Sequence, residues 1–151
     1  MFNLINEIKE GVRLSILGEM YTVVSKVSYY TETEVKKWYI KVILTGHKIL
    51  VIAPADDFMY FGEINNCFGN SSEFSESIVY NGLTYQKDVE DYQIVREIEF
   101  GNPLLVEGEV RYADYKNGDS DVFISLAWVF RTGKRADVIA QVISKEDVKV
   151  C

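Results

Sequence analysis

Few side chains in this chain of 151 residues can do covalent or metal chemistry. His47 is its single histidine, in Thr45-Gly46-His47-Lys48, where a solvated turn residue is expected rather than the base of a Ser-His or Cys-His pair. Of two cysteines, Cys67 stands in an Asn/Gly/Ser loop with no low-pKa environment visible, and Cys151 is the last residue. Cys and His at these positions show no zinc-ligand spacing. Oxygen ligands are denser: Asp114, Asn117, Asp119 and Asp121 crowd one segment. The calcium order Asp-x-Asx-x-Asx-Gly fails there, with Lys116 third and Gly118 fifth, so a charged hairpin turn is expected.

Acid-base chemistry needs paired carboxylates. Asp56 and Asp57 would point to opposite faces of a strand and follow Pro54-Ala55 as turn formers, while Asp88, Glu90 and Asp91 read as a solvated connection. A carboxylate enzyme would require Asp57, Asp91 and Asp114 to converge in one cleft. Neither phosphate-binding glycine motif is present. These residues assign no catalytic group, metal ligand or cofactor.

Aromatic residues are the remaining handle: 10 Tyr, 8 Phe and 2 Trp. Tyr29, Tyr30, Trp38 and Tyr39 fall in one hairpin and Tyr60 follows soon after. Rings with an apolar body and a polar tip suit interfaces and ligand pockets, so these five are the candidate binding residues, with cross-strand packing as the competing use.

The elements that must hold them are strands. From Lys37 to Thr45 one face carries Trp38, Ile40, Val42 and Leu44, and the other Lys37, Tyr39, Lys41, Ile43 and Thr45, the pattern of a strand buried on one side. Lys48 to Ala53 returns as its hairpin partner and stops at Pro54. Gly18-Glu19 precedes a strand over Tyr21–Tyr30, and Asn81-Gly82 joins Ile78–Tyr80 to Leu83–Tyr85. Further strands are expected at Gln93–Phe100, Leu104–Ala113, Asp121–Arg131 and Asp137–Ile143, with a short helix over Phe2–Lys9. The expectation is one all-β domain over residues 1–151, an antiparallel sandwich or partly open barrel of about ten short strands. Loop 65–76 divides the chain into 11–64 and 77–143, where Gly18-x-x-Tyr21 is echoed by Gly82-x-x-Tyr85 and Trp38 by Trp128; a duplication is one source of the echo, and the reuse of Gly and Tyr by β-hairpins for local reasons is the other. The expected core is Val12, Leu14, Ile16, Val23, Trp38, Ile40, Val42, Val51, Ile94, Val110, Phe123 and Trp128.

The 23 acidic residues outnumber 16 basic ones for a charge of -7, with no basic run, which argues against nucleic acid as a partner. No window is apolar enough to span a bilayer as a helix, and the N-terminus lacks a signal-peptide pattern. A reducing cytoplasm fits two scattered cysteines. Oligomeric state is left open.

Leu17-Gly18-Glu19-Met20-Tyr21-Thr22-Val23, the strand to Tyr29-Tyr30 and Trp38-Tyr39-Ile40-Lys41-Val42-Ile43-Leu44 together resemble the opening of the bacterial domain of unknown function 4178. Val79–Tyr85, Val106–Tyr115 and Phe123–Trp128 resemble that family's later block, although Ala127 stands where it often has Glu. The resemblance implies a bacterial, cytoplasmic, β-rich module without assigned activity, in families that often accompany membrane-associated proteins. It carries over no catalytic residue. The first functional expectation is thus a non-enzymatic module docking another protein through an aromatic face or an edge strand. The alternative is a small-ligand binder with a Tyr/Trp-lined barrel mouth, to be marked by a closed sheet and a cavity of roughly 300 Å³ or more. The carboxylate enzyme comes third.

Overall fold

Asn81 and Gly82 adopt φ of 50° and 79°, the two left-handed conformations that a two-residue hairpin needs to match strand twist. Leu17-Gly18 makes the same turn between β1 (Arg13–Ile16) and β2 (Glu19–Thr31), as Asn81-Gly82 does between β6 (Ser77–Tyr80) and β7 (Leu83–Phe100). The computed structural model describes residues 2–151. The other elements are α1 (Phe2–Glu7), β3 (Glu34–Leu44), β4 (Lys48–Ala53), β5 (Phe58–Ile64), β8 (Gly108–Lys116), β9 (Val122–Val129), β10 (Lys134–Arg135), β11 (Val138–Ile143) and β12 (Val148–Val150).

The described chain is 61% strand with one short helix. Strands β2-β3-β4-β5-β11-β9-β8-β7 are hydrogen-bonded in that order, and β7 pairs back onto β2, closing an eight-stranded antiparallel barrel. Strands β1, β6, β10 and β12 are additions to it. This corrects the expected sandwich or partly open barrel of ten strands. Closure comes from the two long strands: β2 pairs β1 through Glu19–Thr22 and then β7 through Lys26–Thr31, opposite Phe100–Gln93. Register shifts between Lys26 and Val27 and between Ser28 and Tyr29 are the bulges that bend such a strand from one neighbour to the next.

Three segments depart from expectation. Asp88, Glu90 and Asp91 are not a connection but the middle of β7, which pairs β8 across a bulge between Lys87 and Val89. Residues 104–107 are not strand; Leu105 is buried among Val27, Val95, Val110, Ala127 and Val129 and plugs one end of the lumen. The unexpected β5 lies between β4 and β11. Gly62 permits that approach, since a Cβ there would meet the Ile139 carbonyl oxygen and lie 2.6 Å from Ala140 Cα.

Both faces of the wall are covered. Outside, Ile40, Val42, Leu44, Leu50, Ile52 and Met59 pack with Leu14 and Ile16 of β1, Val148 of β12 and Ile8 after α1. On another flank Phe74 of loop 65–76 packs on Tyr85, Tyr115, Ile124 and Leu126. That loop is pinned by Arg135, whose Nη1 donates to the Ser71 carbonyl at 3.0 Å while its Nε pairs with the buried Asp137 Oδ1 at 2.9 Å. Of the expected core, Leu14, Ile16, Val23, Ile40, Val42, Val51 and Val110 are buried. Val12, Trp38, Ile94, Phe123 and Trp128 are only half-buried.

Candidate functional site

Strand alternation brings every second residue of the wall to the lumen. Toward the plugged end these are apolar: Val27, Val95, Val110, Ala127 and Val129. Two residues along the same strands they become polar, with Tyr29 and Thr31 on β2, Gln93 on β7, Tyr112 and Asp114 on β8 and Ser125 on β9. With Tyr39 and Lys41 of β3 and Tyr60 of β5 they surround a cavity of about 210 Å³. Its lining includes Phe58 and Val89, which are 38% and 41% exposed and mark the mouth. Hollows of similar volume, about 220 Å³ beside Gly62 and Glu63 and about 260 Å³ beside Asn117 and Asp121, are shallower and more open.

Lys41 is the charge at the centre. It is 8% exposed, and its Nζ lies 4.9 Å from the centroid of the Tyr29 ring. Among the described residues no salt bridge within 4.0 Å includes it. Burial pushes its pKa down to about 8, with the Asp114 charge opposing. Burial likewise pushes the Asp114 carboxyl above its ordinary value, against the Ser125 hydroxyl and the Lys41 charge. The phenols of Tyr29, Tyr39, Tyr60 and Tyr112 are all raised, first by burial, and stay protonated donors at neutral pH. Tyr39 spends its proton on Glu34 Oε2 at 2.6 Å. Thr31 Oγ1 and Gln93 Nε2 have no hydrogen-bond partner although both side chains are buried. A donor left bare in this way is costly unless something outside the chain meets it. Gln93 Nε2 is a donor without a partner and Lys41 Nζ a cation outside any salt bridge among the described residues, so the site is complementary to a small molecule bearing acceptor oxygens.

The five candidate binding residues divide. Tyr29, Tyr39 and Tyr60 converge on the cavity, the first two stacked at 5.4 Å. Tyr30 and Trp38 occupy the opposite face of β2 and β3, packed edge to face at 5.4 Å, with the Arg96 guanidinium 3.7 Å above the indole. Sequence reading missed Lys41, Gln93, Thr31, Ser125 and Tyr112. The alternation in β3 contains the signal: Tyr39, Lys41 and Ile43 share the face that one-sided burial assigns to solvent, and that face lines the lumen.

The carboxylates weighed for chemistry are scattered. Asp114 faces the cavity, Asp57 caps the turn Pro54–Asp56, and Asp91 accepts a hydrogen bond from the Thr33 hydroxyl at 2.7 Å. Asn117 Oδ1 accepts from the Asp119 backbone at 2.8 Å, a local turn bond, while Asp114 points elsewhere. Neither Asn117 nor Gly118 takes a positive φ, so this hairpin lacks the geometry that Asn81-Gly82 has. Among the described residues no three His, Cys, Asp or Glu side chains gather as a metal site. His47 sits in its turn at φ 59°, and Cys67 and Cys151 are exposed free thiols.

Compared with family models, curated proteins and solved structures, the chain matches none. Among the described residues no helix is long and apolar enough to cross a membrane.

Proposed function

We propose that this chain binds a small ligand inside its barrel, a molecule about the size of one ring that carries acceptor oxygens. The observation that carries the reading is the convergence of Tyr29, Tyr60, Tyr112 and Lys41, with the unpartnered Thr31 Oγ1 and Gln93 Nε2, on one cavity. At about 210 Å³ the space falls short of the roughly 300 Å³ of drug-sized sites, which limits what enters. It exceeds the ~150 Å³ cavity that takes benzene, so a single ring with one polar substituent fits.

The test is native mass spectrometry of protein recovered gently from its host, with thermal shift against single-ring acids, aldehydes and alcohols. A bound mass on the order of 100 Da, or a raised melting temperature, is expected for the wild type and lost in Gln93→Leu. A bare mass together with no shift from any of the panel would overturn the reading.

The protein-docking alternative draws support from β6, the last strand of its sheet, where Val79 is 67% exposed. Kinship with domain of unknown function 4178 and a bacterial cytoplasmic setting belong to the same proposal. So does an internal duplication: β1 to β5 and β6 to β9 with β11 repeat a two-residue turn, a long strand and three further strands. Gly18 and Gly82 occupy equivalent turns in that scheme, whereas Trp38 and Trp128 fall on the second and third strands after the turn and are not equivalent.

A further inference from the structure

We propose that Lys41 Nζ is a covalent capture point for a carbonyl compound, an aldehyde of single-ring size held as a reversible imine within the barrel. The inference rests on the cavity reading above and names the ligand's reactive group. Its basis is the position of this amine relative to the other lysines. Lys37, Lys48, Lys87 and Lys116 reach carboxylates at 3.0, 3.4, 3.1 and 3.1 Å. Lys26 donates to the Ile5 carbonyl at 2.9 Å and lies 3.5 Å from Glu99. Lys9, Lys36, Lys134, Lys145 and Lys149 are exposed. Lys41 alone among the described lysines is buried in the wall of a cavity with no carboxylate within 4.0 Å.

The chemistry balances without an oxidant or reductant. The Nζ lone pair adds to the carbonyl carbon, the C=O π pair moves to oxygen, and a proton passes from nitrogen to that oxygen to give the carbinolamine. The new hydroxyl then takes a proton from solvent at the mouth and leaves as water while nitrogen forms the C=N bond. A carboxylate remains beside the iminium. Two features of the site favour these steps: burial leaves much of the Lys41 amine unprotonated near pH 8, and the Asp114 carboxylate lines the same cavity, where its charge favours the iminium. The groups facing Lys41 are Tyr29, Tyr39, Tyr60, Tyr112 and Asp114, and the four phenols remain protonated across that range.

The experiment treats the full chain at pH 8 with benzaldehyde, 4-hydroxybenzaldehyde or hexanal, reduces with sodium borohydride, and locates the alkyl group by peptide mapping. An ordinary lysine holds roughly a hundred-fold less free amine at that pH, so label at Lys41 is expected to exceed that at any other lysine by roughly ten-fold or more. It should fall in the presence of benzyl alcohol, which competes for the cavity but forms no imine, and vanish in Lys41→Met and Lys41→Arg. If benzyl alcohol and the aldehydes raise the melting temperature while label is absent or spread evenly over the lysines, the cavity reading stands and the imine is overturned. With neither stabilisation nor selective label, both are overturned.

Discussion

Replacing Lys41 with methionine is expected to stabilise the protein at neutral pH, although it removes a charge from an acidic chain. Methionine keeps the length of the stem and fills irregular space, so no cavity is left in the wall. What is removed is a buried cation. The unfolded chain binds the Lys41 proton with the ordinary pKa of 10.5, the folded chain with one of about 8. Below pH 8 both states are charged and the folded state carries the full penalty, which at about 1.4 kcal/mol per pH unit is about 3 kcal/mol. Between 8 and 10.5 the unfolded state binds more protons than the folded one, so wild-type stability rises with pH through that window. The variant should therefore be the more stable by about 3 kcal/mol at pH 7 and by only about 1 kcal/mol at pH 9.5. Urea unfolding at the two pH values, followed by tyrosine and tryptophan fluorescence, measures both numbers. The buried tyrosines pull the other way above pH 10, because only the unfolded chain ionises them there, and they cancel in the difference between the two proteins. A difference that does not change with pH, or a variant less stable than wild type at pH 7, would refute the placement of Lys41 as an unpaired buried amine.

Two other substitutions probe the scaffold. Gly62→Ala sets a methyl against the Ile139 carbonyl oxygen and Ala140 Cα, backbone atoms that no rotamer change can move aside. It should cost about 3 kcal/mol, roughly ten degrees of melting temperature, whereas an unchanged melt would mean that β5 and β11 do not approach this closely. Trp38→Ala removes a half-buried indole held by Tyr30 and Arg96 on the outer face. The loss in urea unfolding should be about 1 to 2 kcal/mol with cavity binding unaffected; about 4 kcal/mol would restore Trp38 to the core as the sequence first suggested.

The local order of this protein is legible in its residues. Asn81-Gly82 announces a hairpin because few other pairs tolerate two left-handed conformations in succession, and the alternation in β3 separates Ile40 and Val42 from Tyr39 and Lys41 correctly. The strand β5 was missed for a physical reason: Met59 and Phe61 pack outward, Tyr60 packs inward, and a strand buried on both sides shows no polar alternation. Acidic residues in the middle of β7 concealed a strand for a different reason: Asp88 and Glu90 satisfy their charges with Lys116 and Arg111 of β8 across the sheet and with Lys87 along their own strand.

Three of the five candidate binding residues share the cavity because period two put Tyr29, Tyr39 and Tyr60 on the same side as one another. Periodicity sorts residues between two faces but does not say what either face meets. The sequence alone thus determined strands such as β2, β3 and β4, the Asn81-Gly82 turn and which side chains of a strand travel together. Only the tertiary structure decided that the more polar of the two faces is the inside of a barrel, because that depends on Lys26–Thr31 of β2 pairing with Gln93–Phe100 of β7 far along the chain. Before that pairing Lys41 is an ordinary lysine in water; after it, the same amine is enclosed beside a phenol ring with no carboxylate of the described residues within 4.0 Å.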